Sequence, residues 1–379
     1  MSHRQAGLSK QFKIFGKPTL DIIINASSFT HLSDSKHYAD QRLGMNIGGA
    51  AANIARGLIA SNDMWGTNSQ VEIVGGLGKM RPQEPGEADE DYLFSQMMYH
   101  AVPKLLHNQG IDLKDIFSRN VGTGVAANAV LQHQNGRDIF KDPKSGESVF
   151  SNLNVSQRSL LMDTVKTEVA SVKGNGFVFV DPRHSNIGSL AAVACEKTAV
   201  PLIVDYGDKT WPQSGSQKHE QLSTILTKAD ILIVPSDAVV EGMANDVKDP
   251  DTLFSTLQSD AYKAHTIIMS DGNQPVRVFH EEREYEVQVP DIGDVKLFAN
   301  GVGDTRDSAL MHFLAQGDDM INAVKKATYL ASIKVQHAGS EWQKAAVEQT
   351  RNHLLFEKEH QHLQAISENQ NNSWTIGNS

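Results

Sequence analysis

Asn300-Gly301-Val302-Gly303-Asp304-Thr305 sets two glycines and a carboxylate where an apolar, strand-like run gives way to an amphipathic helix. Glycine lets the backbone turn tightly and lets a ligand approach without meeting a Cβ. A helix opening near Thr305 points its first N–H groups and the positive end of its dipole at that turn. Together these make an anion hole for charge that grows during a reaction. A carboxylate beside such a hole can accept the proton of a hydroxyl as that oxygen attacks phosphorus. A bare G-x-G-D stretch also serves to cap a helix, so the pattern alone leaves both readings open.

A second cluster, Gly48-Gly49-Ala50-Ala51-Ala52-Asn53, has a related design. Two glycines and small residues open a helix, and Asn53, one turn in, offers both a donor and an acceptor. The cluster suits either a small polar ligand or close helix packing. Asp21, after the first strand piece and before a hydrophobic triplet, adds a third polar point. Acids and amides of this kind suit vicinal hydroxyls.

These residues need a frame. "KIF" and "DIIIN" read as strand pieces separated by a Gly-Lys-Pro turn, and a helix is expected from about Gly49. "VEIVGGLG" is a buried strand ending in a glycine turn, followed by an exposed Pro/Gly/acid loop. Residues 91–111 read as an amphipathic helix kinked at Pro103. Residues 122–140 read as two strands around Gln-Asn-Gly, a hairpin signal. "GFVFVDP", "VPLIVDYG", "ADILIVPSD" and "HTIIMSDG" are short β-branched runs, each ending in Asp, Ser or Gly and separated by helix-like segments. That alternation predicts an α/β fold, a doubly wound, mainly parallel sheet flanked by helices. Ligands bind such sheets at the carboxyl ends of the strands, where these polar residues fall. Residues 318–340 predict a further amphipathic helix ending at a glycine. The chain beyond it is polar, and its His353, His360 and His362 read as solvated surface residues.

Composition narrows the function. The chain has 379 residues and a formal net charge of -10, with 35 basic and 45 acidic residues. No Lys/Arg cluster suits a phosphate backbone, so nucleic acid is not an expected partner. No apolar run of about 18 residues is present, so no membrane span is expected. The amino terminus is polar and does not read as a secretory signal. Cys195 stands alone among apolar and small residues and reads as a buried helix position. A cytoplasmic protein is the expectation.

Taken in order, these segments resemble the PfkB, or ribokinase-like, family of carbohydrate and nucleoside kinases over most of residues 12–340. "IFGKPTLDIII" is similar to the opening strand with its substrate-binding acid, Asp21. "GGAAANIARGL" resembles the first signature, which implies Gly48, Gly49 and Asn53 at the sugar. "TGVAANAVLQHQNGRDIF" resembles the small β-sheet lid over the substrate, built here from about 22–47 and 120–150. "VPLIVDYGDKTW" resembles a D-x-N-x-R-x-x-W segment. "NGVGDT" resembles the G-A-G-D signature, which implies Asp304 as the catalytic base and Gly301, Val302 and Gly303 as the anion hole. Ser270-Asp271-Gly272 stands for the nucleotide-loop T-x-G. With Ser236 and Asn300 it makes Ser236, Ser270, Gly272 and Asn300 the implied nucleotide contacts.

The resemblance implies a kinase domain over 1–342, followed by a polar helix remnant and tail at 343–379. It implies an ATP-dependent phosphotransferase acting on a sugar or nucleoside hydroxyl, with Mg²⁺ as cofactor and a homodimer formed through the lid. Several positions depart from the family pattern. Phe298 replaces an acid of the monovalent-cation site, which puts potassium activation in doubt. Arg306 and Asp307 follow the signature where relatives carry Phe at the first of these positions. Ser236 and Val239 stand in place of the Asn and Glu of N-x-x-E, leaving Asp237 and Glu241 as the substitute metal ligands. These departures keep a second reading open, a ribokinase-fold binding or regulatory protein without catalysis. A dinucleotide-binding dehydrogenase is disfavoured, because no G-x-G-x-x-G follows the first strand.

Overall fold

β1 (Gln11–Phe15) and β2 (Thr19–Ala26) are the two strand pieces around the Gly-Lys-Pro turn, and they enter different sheets. β3 (Leu43–Gly48) leads through Gly49 into α1 (Ala50–Trp65). Gly49 has φ 83°, a conformation that favours glycine. β4 (Gln70–Gly75), a helical segment at 100–108 that runs through Pro103, and β5 (Asp112–Asp115) come next. β6 (Ala127–His133) and β7 (Gly136–Lys141) form the expected hairpin, with His133 opposite Gly136.

The expected alternation follows: α2 (Val155–Ala170), β8 (Phe177–Val180), α3 (Ser185–Thr198), β9 (Leu202–Asp205), α4 (Gln217–Thr227), β10 (Ile231–Pro235), α5 (Pro250–Leu257) and β11 (Thr266–Ser270). β12 (Val276–His280), β13 (Arg283–Val287), α6 (Val302–Gln316) and α7 (Met320–Lys334) complete the order. The computed structural model describes residues 10–16, 18–26, 43–75, 100–115, 127–133, 136–141, 154–172, 176–207, 209–243, 249–259, 261–262, 264–293, 301–337 and 346–353.

The main sheet has nine strands in the order β13-β12-β11-β10-β9-β8-β1-β4-β5. From β11 to β5 every pairing is parallel, while β12 and β13 add an antiparallel edge. β1 lies between β4 and β8, so the strand order reverses beside it. That reversal opens a crevice at the carboxyl ends of the strands. The second sheet has four strands, β3-β2-β6-β7, and matches the expected lid. Asp21 stands opposite Asn46 on one neighbour and Asn128 on the other.

Both faces of the main sheet are covered, which is why its strands are near-continuous apolar runs. Successive side chains take opposite faces. Phe12, Ile14, Ile203, Ile233 and Ile268 pack under α1, α6 and α7. Phe15, Leu202, Val204, Leu232 and Val234 pack under α2, α3, α4 and α5. Cys195 is buried in the second cluster, as expected, and burial pushes its thiol pKa up.

Two expectations shift at the carboxyl-terminal end. α7 stops at Lys334 rather than at a glycine, because Gln336 and His337 turn back onto the carbonyls of Ile333 and Lys334. Residues 346–353 are helical, and Ala346 and Val347 are buried in the core under α1. Arg351 donates to the Met64 carbonyl, and His353 stacks on Tyr329 with ring centroids 4.5 Å apart. This segment therefore packs with the domain, and His353 is a packed residue rather than a solvated one. His360 and His362 lie outside the described residues.

Candidate active site

Gly301 adopts φ 73° and forms the N-cap of α6, so Asp304 falls in the first turn. Thr305 closes that turn: its N–H and its hydroxyl both donate to the Gly301 carbonyl, at 3.0 and 2.7 Å. A Cβ added at Gly303 would meet nothing within 4 Å, so the turn faces open space. The helix thus presents its amino-terminal N–H groups to a volume that a ligand can enter.

α1 supplies the partner of Asp304. Asn53 Nδ2 donates to Asp304 Oδ2 at 2.6 Å, joining the two glycine-rich segments across 251 positions. The amide is itself oriented. Arg56, buried in the next turn of α1, donates both to Asn53 Oδ1 and to the Ile47 carbonyl. With its oxygen held by Arg56, Asn53 turns its nitrogen to the carboxylate. Arg56 was not singled out from the sequence, although a cation among Ala, Ile and Leu on a helix face is a signal of a buried polar role.

The strand ends supply the remaining charge. Asp181 follows β8, caps the turn at 182–184 and accepts from Arg183 Nε at 2.9 Å. Burial works to raise the Asp181 pKa, but Arg183 and His184 outweigh it and hold the carboxyl below the usual range. Arg183 also feels Asp304 and Asp205, so its charge reaches the crevice. Burial raises the pKa of Asp304. Asn53 and Arg183 oppose that rise, while Asp205 and Asp181 add to it.

Arg306 crosses the ends of β9 and β11. Its Nε and Nη2 contact Asp307 Oδ1 at 3.0 and 2.9 Å, and its Nη1 donates to Ser270 Oγ at 2.8 Å. Asp205, at the end of β9, lies 3.7 Å from Nη2. Asp307 is fully buried, and its Oδ2 has no hydrogen-bond donor among the described residues. Burial, with Asp205 beside it, pushes the Asp307 pKa well above the usual carboxylate range.

The other expected site residues are distributed as follows. Gly48 ends β3 opposite Thr19, and Gly49 caps α1. Ser236 N–H donates to the Ser270 carbonyl at 2.8 Å, which ties two adjacent strand ends together. Gly272 turns with φ 56° beside open space. Asp237 pairs with Lys209. Glu241 accepts from Ser223 Oγ at 2.9 Å and faces His219 Nε2 at 3.0 Å. Asn300 and Phe298 lie outside the described residues. Asn53, Asp304, Gly301–Gly303 and Ser270 therefore share one site, whereas Asp237 and Glu241 are occupied by partners of their own. Among the described residues, no three His, Cys, Asp or Glu side chains gather in a metal-binding group. Nor is any described helix long and apolar enough to cross a membrane.

The sequence model of the pfkB family of carbohydrate kinases matches residues 103–343. The chain belongs to this family. Solved structures agree on the fold. A carbohydrate kinase from Agrobacterium tumefaciens superposes with a TM-score of 0.62 at 17% identity, covering 90% of this chain and 96% of that one. Arabidopsis thaliana ribokinase, solved with ribose and ATP, gives 0.59 at 15% identity, covering 90% and 99%. Escherichia coli phosphofructokinase-2, solved with potassium, gives 0.59 at 13% identity, covering 92% and 99%. No curated protein matches the chain in a sequence search. At these identities the solved structures carry the pfkB-family fold and no more, so the residues themselves must carry the chemistry.

Proposed function

We propose that this pfkB-family protein transfers the γ-phosphoryl group of ATP to a hydroxyl of a sugar or sugar-like acceptor, with Asp304 as general base. The observation that carries the reading is the Asn53–Asp304 hydrogen bond at the open end of α6. It brings an oriented amide, a carboxylate and helix N–H groups to one point. The acceptor lies between the lid and the crevice, near Asp21, Gly49 and Asn53. Its hydroxyl oxygen attacks the γ-phosphorus, Asp304 takes the hydroxyl proton, and the bond to the β-phosphate oxygen breaks to release ADP. The N–H groups of the 301–304 turn hold the charge on the transferring group.

Asp304 is suited to that task. Asn53 and Arg183 favour its ionised form, while burial keeps it more basic than a solvated carboxylate. ATP fits the open turn at Gly303 and the glycine turn at Gly272. Mg²⁺ fits less well. Asp307 is bonded to Arg306, Asp237 faces Lys209, and Glu241 faces His219 and Ser223, which leaves Asp205, 3.7 Å from Arg306, as the less committed acid. That same commitment of acids favours the second reading, a ligand-binding member of the family without turnover.

ADP release from ATP with a panel of sugars and nucleosides, for wild type and Asp304→Asn, separates the two. Turnover with one acceptor, reduced about 10²-fold or more in Asp304→Asn, is the expected result. The kcat acid limb should lie above the ordinary carboxylate range, because the Asp304 pKa is raised. Acceptor binding without turnover would establish the binding reading instead.

A further inference from the structure

Several acids near the strand ends are taken by close partners, Asp307 by Arg306, Asp237 by Lys209 and Glu241 by His219 and Ser223, which raises a question of charge. A phosphoryl group in transfer needs cationic partners, and the usual source is a divalent metal. Here the crevice has two guanidinium groups, Arg183 and Arg306, and each feels the charge of Asp304. Arg183 stands at the end of β8, and its side chain is mostly exposed. Arg306 is different: only 11% of its side chain is exposed, and it lies over the ends of β9 and β11, beside Ser270. Those strand ends carry the segments that correspond to the nucleotide side of the site.

We propose that Arg306 is a built-in cation that holds the β- and γ-phosphates of the nucleotide, so that ATP binds this protein without a divalent metal. The inference rests on the kinase reading only for the identity of the ligand as a nucleoside triphosphate.

The geometry suits the role. A guanidinium keeps its charge at any working pH, and its planar fork matches phosphate oxygens. It has five N–H donors. Asp307 takes Nε and one Nη2 hydrogen, and Ser270 takes one Nη1 hydrogen. The 3.7 Å separation from Asp205 is too long for a hydrogen bond, so one hydrogen on each Nη is left to meet a phosphate. Asp307 explains why the fork is held in place. It is a fully buried acid whose principal cationic neighbour is Arg306, and losing that contact would strand it. Replacing Arg306 with an apolar residue would remove the cation and leave that acid buried. The pair therefore belongs together.

The test is calorimetric titration of wild type, Arg306→Gln and Arg306→Lys with ATP and with AMP, each in EDTA and in MgCl₂. Wild type should bind ATP in EDTA within about threefold of its affinity in MgCl₂. Arg306→Gln should lose at least tenfold in ATP affinity in EDTA, about 1.4 kcal/mol, and regain most of it in MgCl₂. Arg306→Lys should fall between the two. AMP, which lacks the β- and γ-phosphates, should bind wild type and variants alike, and this guards against a misfolded variant. Wild-type binding of ATP that requires MgCl₂, or no ATP binding in either buffer, overturns the proposal without recourse to any variant. So does an Arg306→Gln protein that keeps wild-type ATP affinity in EDTA, or that loses ATP and AMP equally. The acceptor panel keeps the two conclusions apart. Turnover with strictly Mg²⁺-dependent ATP binding would sink Arg306 and leave the kinase. Arg306-dependent ATP binding in EDTA without turnover would do the reverse.

Discussion

His312 should make this protein sensitive to mild acid, and removing it should remove its share of that sensitivity. The residue lies on α6 and is 1% exposed. Its ring sits 5.2 Å from Trp65 and 5.4 Å from Phe313, and its Nε2 has no hydrogen-bond partner among the described residues. Burial first, then the nearby cations Lys10 and Lys326, push its pKa down from 6.5 to about 4. The folded protein therefore holds His312 neutral, while the unfolded chain takes up a proton below pH 6.5. Between those limits the unfolded state binds more protons, so stability is full above pH 6.5 and is lost as pH falls toward 4. At about 1.36 kcal/mol per unit the whole loss is about 3 kcal/mol, of which about 2 kcal/mol has appeared by pH 5. Phenylalanine keeps the ring against Trp65 and removes the titration. Urea unfolding of wild type and His312→Phe at pH 8 and pH 5 isolates the effect, because every other titrating group is common to both. The stability gap between the two proteins should move by about 2 kcal/mol in favour of His312→Phe on acidification. A gap that stays constant between the two pH values would refute the reasoning.

Two further perturbations probe the frame. Lys13 is buried on β1 between Glu72 of β4 and Glu168 of α2, the latter 2.8 Å away. Lys13→Met should cost about 3 kcal/mol, the low end for a broken buried pair because Lys114 still faces Glu168 at 3.5 Å, and adding Glu168→Leu should restore a large part of it, read by urea midpoints. A Cβ at Gly176 would come within 2.2 Å of the Gln11 carbonyl oxygen, whereas one at Gly188 would meet the ends of Val180 and Ile225 at 2.7 and 3.0 Å. Gly188→Ala should therefore cost about 1–3 kcal/mol and Gly176→Ala more, because backbone yields less than a side chain does. Thermal melts that rank them the other way would contradict the packing.

The buried parallel strands were legible because a strand covered on both faces must be a short β-branched run, and "ILIVP" or "TIIMS" reads as little else. β12 and β13 escaped for the opposite reason. They form an edge, and Arg283, Glu284 and Glu286 leave β13 largely polar. α2 is weakly amphipathic in sequence because Glu168 occupies a buried position, which makes sense only once Lys13 faces it. The site shows the same divide. Each glycine-rich segment could be read alone as a helix start, and the family resemblance implied that they meet. That Asn53 and Asp304 share a hydrogen bond depends on long-range packing of α1 against α6. Arg306 stood out as an odd residue in its pattern, but a long side chain can point many ways, and only Asp307 and Ser270 fix its direction. Likewise, Asp237 and Glu241 have the right chemistry for a metal, and their commitment to Lys209 and His219 depends on how the 209 segment and α4 pack beside them.

The position of β1 has a consequence for how the chain is made. This strand is synthesised before both of its sheet partners, yet it ends in the middle of the sheet, with Phe15 paired to Val74 on one side and Val180 on the other. At about 5–20 residues per second, the partner on the β8 side follows by roughly 8–33 s. Throughout that interval one edge of a buried apolar strand is unpaired, the situation in which strands recruit the wrong neighbour. The nascent half-sheet thus carries an open apolar edge, and codon choice over residues 76–176 would set how long that edge stays open.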